Sequence, residues 1–464
     1  MAGLDATVVN IALPRIGTDL HTGLSGLQWT VNAYTLTLAG FLLLGGALGD
    51  RLGRRRIFVT GVVWFAVASV LCAMAPTAET LVAARALQGI GAALLTPGSL
   101  AIIEASFRPE DRSPAIGAWS GLGGVAIAIG PFLGGWLVDA VSWRLIFLIN
   151  LPLAVLVVWV AVRHVPESQD PNAVGHLDVD GAALAALGLA GVIYALTAAP
   201  QGWGTPAVLI TGIGGVLALA AFVVRERDTS NPMLPLDLFR SQQFTAANVV
   251  TFVVYAALGG SLFLLPIQLQ RVVGFSPLKA GTALIPITVV MLLLSARAGR
   301  LAQRIGPRLP MTVGPMVAGI GLALLVRVTA GSTYVGAVLP AVTVFALGLS
   351  LTVAPLTATV LAAASEEHAG VASAVNNDVA RAAGLVAVAA LPILAGISAK
   401  AYANPSAFSH GFRNAMWITA VMCEAGGLLS WVTIRRPAAG APESMPTTSC
   451  ALEATPLRMG SARC

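Results

Sequence analysis

Apolar runs of about twenty residues, each long enough to cross a bilayer as an α-helix, recur along the whole chain. They fall at 28–49, 57–76, 78–103, 113–138, 143–163, 181–199, 206–225, 244–270, 278–298, 309–328, 333–360, 370–398 and 412–434. Only 10% of the residues are charged. A soluble domain carries roughly 25%, so these segments have no solvated surface to hide beneath. The fold class that remains is an all-α, multi-pass membrane protein.

The few charges are unevenly placed. Counting a further candidate span near 1–16, one set of alternate connections holds most of the arginines, among them Arg51, Arg54, Arg55, Arg56, Arg108, Arg112, Arg225, Arg304, Arg308 and Arg435. The opposite set holds only Arg15, Arg144, Arg271, Lys279, Arg327, Lys400 and Arg413. Basic residues stay on the cytoplasmic side. Both termini are therefore expected inside a plasma membrane, with an even number of spans, about fourteen by the spacing of apolar runs. Four segments follow: a six-helix bundle at 1–163, two extra membrane helices with their loops at 164–243, a second six-helix bundle at 244–434, and a disordered cytoplasmic tail at 435–464.

Several function classes are excluded. Cys72 and Cys423 fall within spans and Cys450 and Cys464 in the tail, with no spacing that suggests a metal site or disulfides. There is no Walker loop for an ATP-driven pump, no grouping that suggests a membrane enzyme, and nothing that points to nucleic acid. No cofactor is expected beyond a coupling proton, and the protein is expected to act as a monomer among membrane lipids.

The first candidate span, LDATVVNIALPRI from Leu4 to Ile16, covers barely half a bilayer. It has no basic n-region and no small-residue cleavage site of a signal peptide. A start misplaced or truncated relative to the true one is the expectation here, with a short first helix as the alternative.

An internal echo bears on architecture. GALGDRLGRRR, residues 46 to 56, aligns with GRLAQRIGPR, Gly299 to Arg308. Gly46 matches Gly299, Arg51 matches Arg304, Gly53 matches Gly306 and Arg55 matches Arg308, while Asp50 becomes Gln303. Each copy follows the second span of a six-span block, on the same side of the membrane. Parallel half-repeats of this kind belong to transporters that rock about a central site.

Individual residues add chemistry. Asp50 ends a helix, where the macrodipole disfavours an anion by several tenths of a kcal/mol, and Arg54 and Arg55 lie within reach. Positive-inside anchoring explains the arginines of this bend but not Asp50 or the glycine spacing. Arg85 lies inside an apolar helix, at a cost of about 2.5–3.5 kcal/mol on insertion scales. It either snorkels to the interface or faces a cavity, with Gln88, Gly89 and Gly91 permitting close helix contact. There it would tune a neighbouring carboxylate's affinity for protons. In the fifth span Gly117, Gly121, Gly123, Gly124, Gly130, Gly134 and Gly135 thin the helix, and Pro131 removes a hydrogen bond and bends it. Gly130, Pro131, Gly134 and Gly135 form the densest cluster and the expected pivot; ordinary small-residue packing is the bland alternative. Asp378 and Arg381 have the spacing of a local ion pair. Trp29, Asn32, Tyr34, Tyr255, Gln268 and Gln270 are candidates for a substrate cavity between the halves, or for interfacial anchors.

Taken together these motifs resemble the major facilitator superfamily, and within it the fourteen-span drug:proton antiporter family of multidrug and quaternary-ammonium exporters. LDATVVNIALP resembles the family's first-span motif, GALGDRLGRRR the loop motif between spans two and three, and LVAARALQGIGAALLTPGSLAII the span-four motif with its intramembrane arginine. GLGGVAIAIGPFLGGWL resembles the span-five antiporter motif. NPMLPLDLFRSQQFTAAN and LPIQLQRVVGFSPLKAGTALIP resemble segments of the fourteen-span branch.

The resemblance implies two six-helix bundles with two additional central helices, the first span being truncated in this chain. It implies export of lipophilic or cationic small molecules in exchange for protons, by alternating access, in a bacterial cell membrane. Asp5 stands where the family's first span carries an acid and is the leading proton carrier, with Arg85 beside it; Asp378 is the second candidate. Gly46, Asp50, Arg51, Gly53, Arg54 and Arg55 would form a cytoplasmic latch that holds in one state and releases in the other. Rival readings are a dedicated exporter of one metabolite or antibiotic, and a receptor that kept the fold without transport.

Overall fold

Each long apolar run of the sequence forms a helix, and the charged bends at Gly53 and Gly306 fall between helices. The computed structural model describes residues 1–169, 178–229, 234–364 and 369–434; the expected tail at 435–464 lies outside them. The first bundle comprises α1 (Ala2–Asp19), α2 (Leu24–Leu52), α3 (Arg54–Met74), α4 (Ala78–Ser106), α5 (Pro109–Ala140), the short α6 (Leu145–Leu148) and α7 (Asn150–His164). Then come α8 (Val179–Ala198) and α9 (Pro206–Asp228), a membrane hairpin. The second bundle holds α10 (Gln242–Arg271), the short α11 (Pro277–Thr282), α12 (Ile285–Ile305) and α13 (Arg308–Leu325). It continues with α14 (Leu339–Ala362), α15 (Ala369–Leu394), the short α16 (Ala399–Ala403) and α17 (Pro405–Thr433).

Thirteen helical segments among the described residues are long and apolar enough to span a membrane. The first of these begins at Leu24, so α1 is not among them. The helix is nevertheless longer than the sequence pattern implied. It continues through Gly17 to Asp19, giving 18 residues, or about 27 Å at 1.5 Å per residue. Pro14 does not end it, and α1 packs inside the first bundle with Val8, Val9, Ile11, Ala12, Leu13 and Ile16 buried.

The two matched bends share one backbone device. Gly53, between α2 and α3, has φ +112°, and Gly306, between α12 and α13, has φ +85°. Both lie in the left-handed region that side chains disfavour, so each helix is broken at the same place in its half. A Cβ at Gly53 would also come within 2.7 Å of Glu167 Oε1.

The bundles meet along a seam that hydrogen bonds cross at the end opposite these bends. Gln28 Nε2 of α2 donates to Val388 O at 2.7 Å and Ala389 O at 3.3 Å on α15. Gln270 Nε2 of α10 donates to Ile11 O on α1 at 2.8 Å, and Leu278 N of α11 donates to Asp139 Oδ2 of α5 at 3.0 Å. At the bend end, α5 is exposed, and a Cβ placed at Gly117, Gly121, Gly123 or Gly124 would meet nothing within 4 Å. The molecule is closed at one end and parted at the other.

The hairpin flanks this seam. Gly188, Gly191 and Gly215 let α8 and α9 approach backbone to backbone, with Gly215 leaving 2.7 Å between a Cβ and Val192 N. A Cβ on Gly40 of α2 would lie 2.7 Å from that of Ala186 on α8. Leu36 of α2, Ile193 of α8 and Leu385 and Ala389 of α15 form one small core. At the other end of the hairpin, Asp178 Oδ1 accepts from Gly181 N at 2.9 Å and Arg225 Nε at 2.8 Å. Arg225 also reaches Asp180 Oδ2 at 2.9 Å, and Glu226 Oε2 accepts from Leu234 N at 2.8 Å.

Candidate functional site

Five helices of the first bundle each contribute polar groups to one buried cluster. Asp5 on α1 and Arg85 on α4 pair directly, Arg85 Nη1 donating to Asp5 Oδ2. Asp5 Oδ1 accepts from Gln88 Nε2 at 2.9 Å and from Asn150 Nδ2 of α7 at 3.2 Å. Arg85 Nη1 also donates to Gln88 Oε1 at 2.6 Å and its Nε to Thr30 O of α2 at 3.0 Å. Ser69 Oγ of α3 accepts from Gln88 at 2.9 Å and donates to Phe65 O at 2.7 Å. The Arg85 guanidinium carbon sits 4.2 Å from the centre of the Tyr34 ring, a cation–π contact. Side-chain exposure of the Arg85–Asp5 pair is 1% and 0%. Arg85 does not snorkel.

An ion pair this deep survives only because its remaining donors and acceptors are met. Helical spacing supplies them: Arg85 and Gln88 are three apart on one face of α4. Of these groups Asp5 and Arg85 were expected, and Gln88 was expected only as a contact residue. Ser69 and Asn150 were missed. Asn150 was visible as a lone amide within an apolar run, which is itself a signal in a membrane segment.

The bend site is completed from a distance. Arg54 Nε pairs with Asp50 Oδ1 at 2.8 Å across the break at Gly53. Arg55 does not join Asp50. Its Nε lies 3.7 Å from Glu167 Oε2, its backbone N donates to Glu167 Oε1 at 3.0 Å, and its Nη1 donates to Val165 O at 2.9 Å. Arg56 lies 3.6 Å from the same carboxylate, and Arg54 N donates to Ser168 O at 2.9 Å. Glu167 was missed, since nothing in its local sequence ties it to residues more than a hundred positions away. Gly46 has an ordinary packing role against Pro97, 3.4 Å from a Cβ placed there. In the second bend Arg308 mirrors Arg55: its Nε donates to Trp431 O at 2.7 Å and it stacks on the Trp431 ring.

The fifth-span cluster lies where the bundles touch. A Cβ on Gly130 would come within 2.0 Å of Thr7 Oγ1, and one on Gly134 within 2.8 Å of Val8 Cγ1, both on α1. Gly135 faces Pro277 O and Leu278 of α11 at 2.6 and 2.7 Å. Pro131 O lies 2.0 Å from where a Cβ of Gly281 would stand. Gly130 and Gly134 thus seat α5 against α1 of its own bundle, while Gly135 of α5 and Gly281 of α11 bring the two halves into backbone contact at the closed end.

The remaining candidates separate. Gln270 crosses to α1, but Gln268 does not face the other half: its Nε2 is spent on Val328 O and Ser409 Oγ of its own bundle, at 2.8 and 3.1 Å. Two residues apart on a helix, the pair points about 200° apart, so only one can face the seam. Trp29 packs on Tyr194 of the hairpin, rings 6.2 Å apart, and Tyr255 packs within the second bundle against the small cluster of Ala256, Ala383 and Ala387. Asn32 is 1% exposed and neither polar atom of its amide has a partner.

The expected ion pair of Asp378 with Arg381 does not form. No ion pair joins them among the described residues, and Asp378 Oδ1 and Arg381 Nε are both buried without a hydrogen-bond partner. Asn32 is one turn beyond Gln28 on α2, and Arg381 two turns before Val388 on α15, so both lie on the faces that meet at the Gln28 bridge. A second polar contact went unanticipated: Asn376 Nδ2 of α15 donates to Asn248 Oδ1 at 3.1 Å and Thr251 Oγ1 at 2.7 Å, both on α10.

The family model described as Major Facilitator Superfamily matches residues 1–389. The chain belongs to this superfamily. It is a membrane transporter and not an enzyme. The chain is 36% identical over 440 residues to a methylenomycin A resistance protein of Streptomyces coelicolor, covering 94% of this chain and 90% of the relative. It is 34% identical to the puromycin resistance protein pur8 of Streptomyces alboniger, with 93% and 88% covered. Its fold is that of a bacterial homologue of the human lysosomal transporter Spinster in an inward-facing, unoccupied conformation, at a TM-score of 0.67, 18% identity and 94% and 96% coverage. In this major facilitator transporter the buried Asp5–Arg85 cluster lies within the first bundle, and the contact of Gly135 with α11 joins that bundle to the second.

Proposed function

We propose that this transporter exports lipophilic or cationic small molecules, antibiotics among them, across the cell membrane in exchange for protons, with its arginine bends and both termini on the cytoplasmic side. The relatives named for resistance to methylenomycin A, puromycin and several drugs support export. The observation that carries proton exchange is the Asp5–Arg85 pair. Protonation of Asp5 would remove its charge, while Arg85 keeps Thr30 O, Gln88 Oε1 and the Tyr34 ring. The cation stays held and α1 is released. That helix also carries Thr7 and Val8 against Gly130 and Gly134, and Ile11 O against Gln270, so a change at Asp5 reaches the seam within two helical turns.

One proton moving down roughly 150 mV releases about 3.5 kcal/mol, from about 2.3 kcal/mol per 100 mV. At about 1.4 kcal/mol per tenfold, that sustains a gradient of a few hundredfold. The buried, unpartnered amide of Asn32 is the polar group we assign to substrate.

The test is export by purified protein in vesicles. Substrate-driven proton flux, and loss of uphill transport when the pH difference and voltage are collapsed, are expected; unchanged uphill transport would refute the exchange. A dedicated exporter of one antibiotic is the second reading, favoured by relatives named for a single compound. A panel of structurally unrelated compounds separates the two.

A further inference from the structure

A cavity of about 280 Å³ opens where α2, α8 and α15 meet at the closed end of the seam, beside α16. Thr197, near the end of α8, lines it; the residue is 4% exposed and its Oγ1 has no hydrogen-bond partner. Buried threonines elsewhere in the spans return their hydroxyl to a carbonyl one turn back, as Thr30, Thr251 and Thr352 do; Thr197 leaves its own for something else. Lys400 of α16 lines the same space and no acidic residue does. Leu24, Ile393 and Ile397 make its apolar wall, and Gln28, which bridges the bundles, closes the back.

We propose that this cavity holds the phosphate-bearing head of an anionic phospholipid, with the Thr197 hydroxyl and the Lys400 ammonium on phosphate oxygens and an acyl chain against Leu24 and Ile393. A free anion has no use for the apolar wall, and the cavity lies at the level where α2 begins and α8 and α15 end, which is that of lipid headgroups. Its walls come from both bundles and from the hairpin, so it is whole only while this end is shut. A ligand that fits one of two conformations draws the population toward it. Anionic lipid at this site therefore holds the seam closed.

The test uses the full chain in phosphatidylcholine nanodiscs with and without phosphatidylglycerol, read by amide hydrogen exchange over residues 20–30 and 386–400 and by bound lipid in native mass spectra. Phosphatidylglycerol is expected to slow exchange in both segments by about threefold or more and to remain bound. Thr197→Val combined with Lys400→Gln removes both effects, whereas Lys400→Arg and the control Lys279→Gln keep them. Equal protection in the double variant overturns the proposal. So does equal protection by millimolar inorganic phosphate in phosphatidylcholine alone, which would make the site one for a free anion. Lys400 is exposed and valine is isosteric with threonine, so the variants are expected to fold.

Discussion

Asp5 and Arg85, eighty residues apart, form an ion pair in which each side chain is at most 1% exposed. The pair is tied through Gln88 to Ser69 of α3 and by Asn150 to α7, so neither charge is solvated by water and each depends on the other.

Removing one partner strands the other. Asp5→Asn is expected to cost about 3–5 kcal/mol, the usual result of leaving one member of a buried pair uncompensated, and to abolish proton-linked export. Asp5→Asn combined with Arg85→Gln should recover much of the thermal stability but no coupling. Melting curves and vesicle proton flux read the two effects separately; a coupled double variant would remove Asp5 from the mechanism.

At the first bend two glycines are predicted to differ. Gly53 has a left-handed φ and Glu167 Oε1 within 2.7 Å of a Cβ, while at Gly49 the nearest atom is 3.9 Å away. Gly53→Ala should destabilise by about 1–3 kcal/mol and slow transport, with Gly49→Ala nearly neutral. Paired melting and uptake measurements check this.

Glu167→Gln removes the charge that Arg55 and Arg56 share. Those contacts are 3.7 and 3.6 Å long and partly exposed, so stability should fall by less than about 1 kcal/mol. Turnover should fall much more if the bend acts as a latch. Equal, small losses in both would reduce it to anchoring.

The seam predicts a conformational block. Gly281→Val would drive a side chain into Pro131 O, and Gly135→Val into Pro277 O. Both should prevent closure at this end and stop turnover while substrate still binds. Gly123→Ala meets nothing within 4 Å here and should leave closure intact. Distances between labels on Val141 and Lys279 report the difference.

The base of the hairpin carries a pH dependence. Burial pushes the Asp178 carboxyl up, but the Gly181 N–H and the Arg225 guanidinium outweigh it and hold the group below its ordinary value. A lowered value stabilises the folded form at pH above about 3.9, the unfolded value, and that contribution is lost as pH falls through the folded one. Asp178→Asn should therefore lower the melting temperature at neutral pH, with the gap to the parent closing only in strong acid.

The thirteen long apolar spans, the broken helices at Gly53 and Gly306 and the buried charge at Arg85 were legible in the chain, because they follow from local rules: apolar run length, glycine at a tight turn, and the cost of a cation in hydrocarbon; the expected first span, α1, is not among the helices that qualify. The partners were not. Glu167 reaches Arg55 from 112 positions away, and Asn150 reaches Asp5 from 145; no periodicity connects such residues. Gln268 and Gln270 look alike in the sequence, yet rotation about one helix sends one into its own bundle and the other across the seam. Asp378 and Arg381 had the spacing of a pair but not the contact, since spacing sets a shared face and packing sets where a long side chain goes. Composition and pattern decide what each helix is; which atoms meet is decided by how five or six of them pack at once.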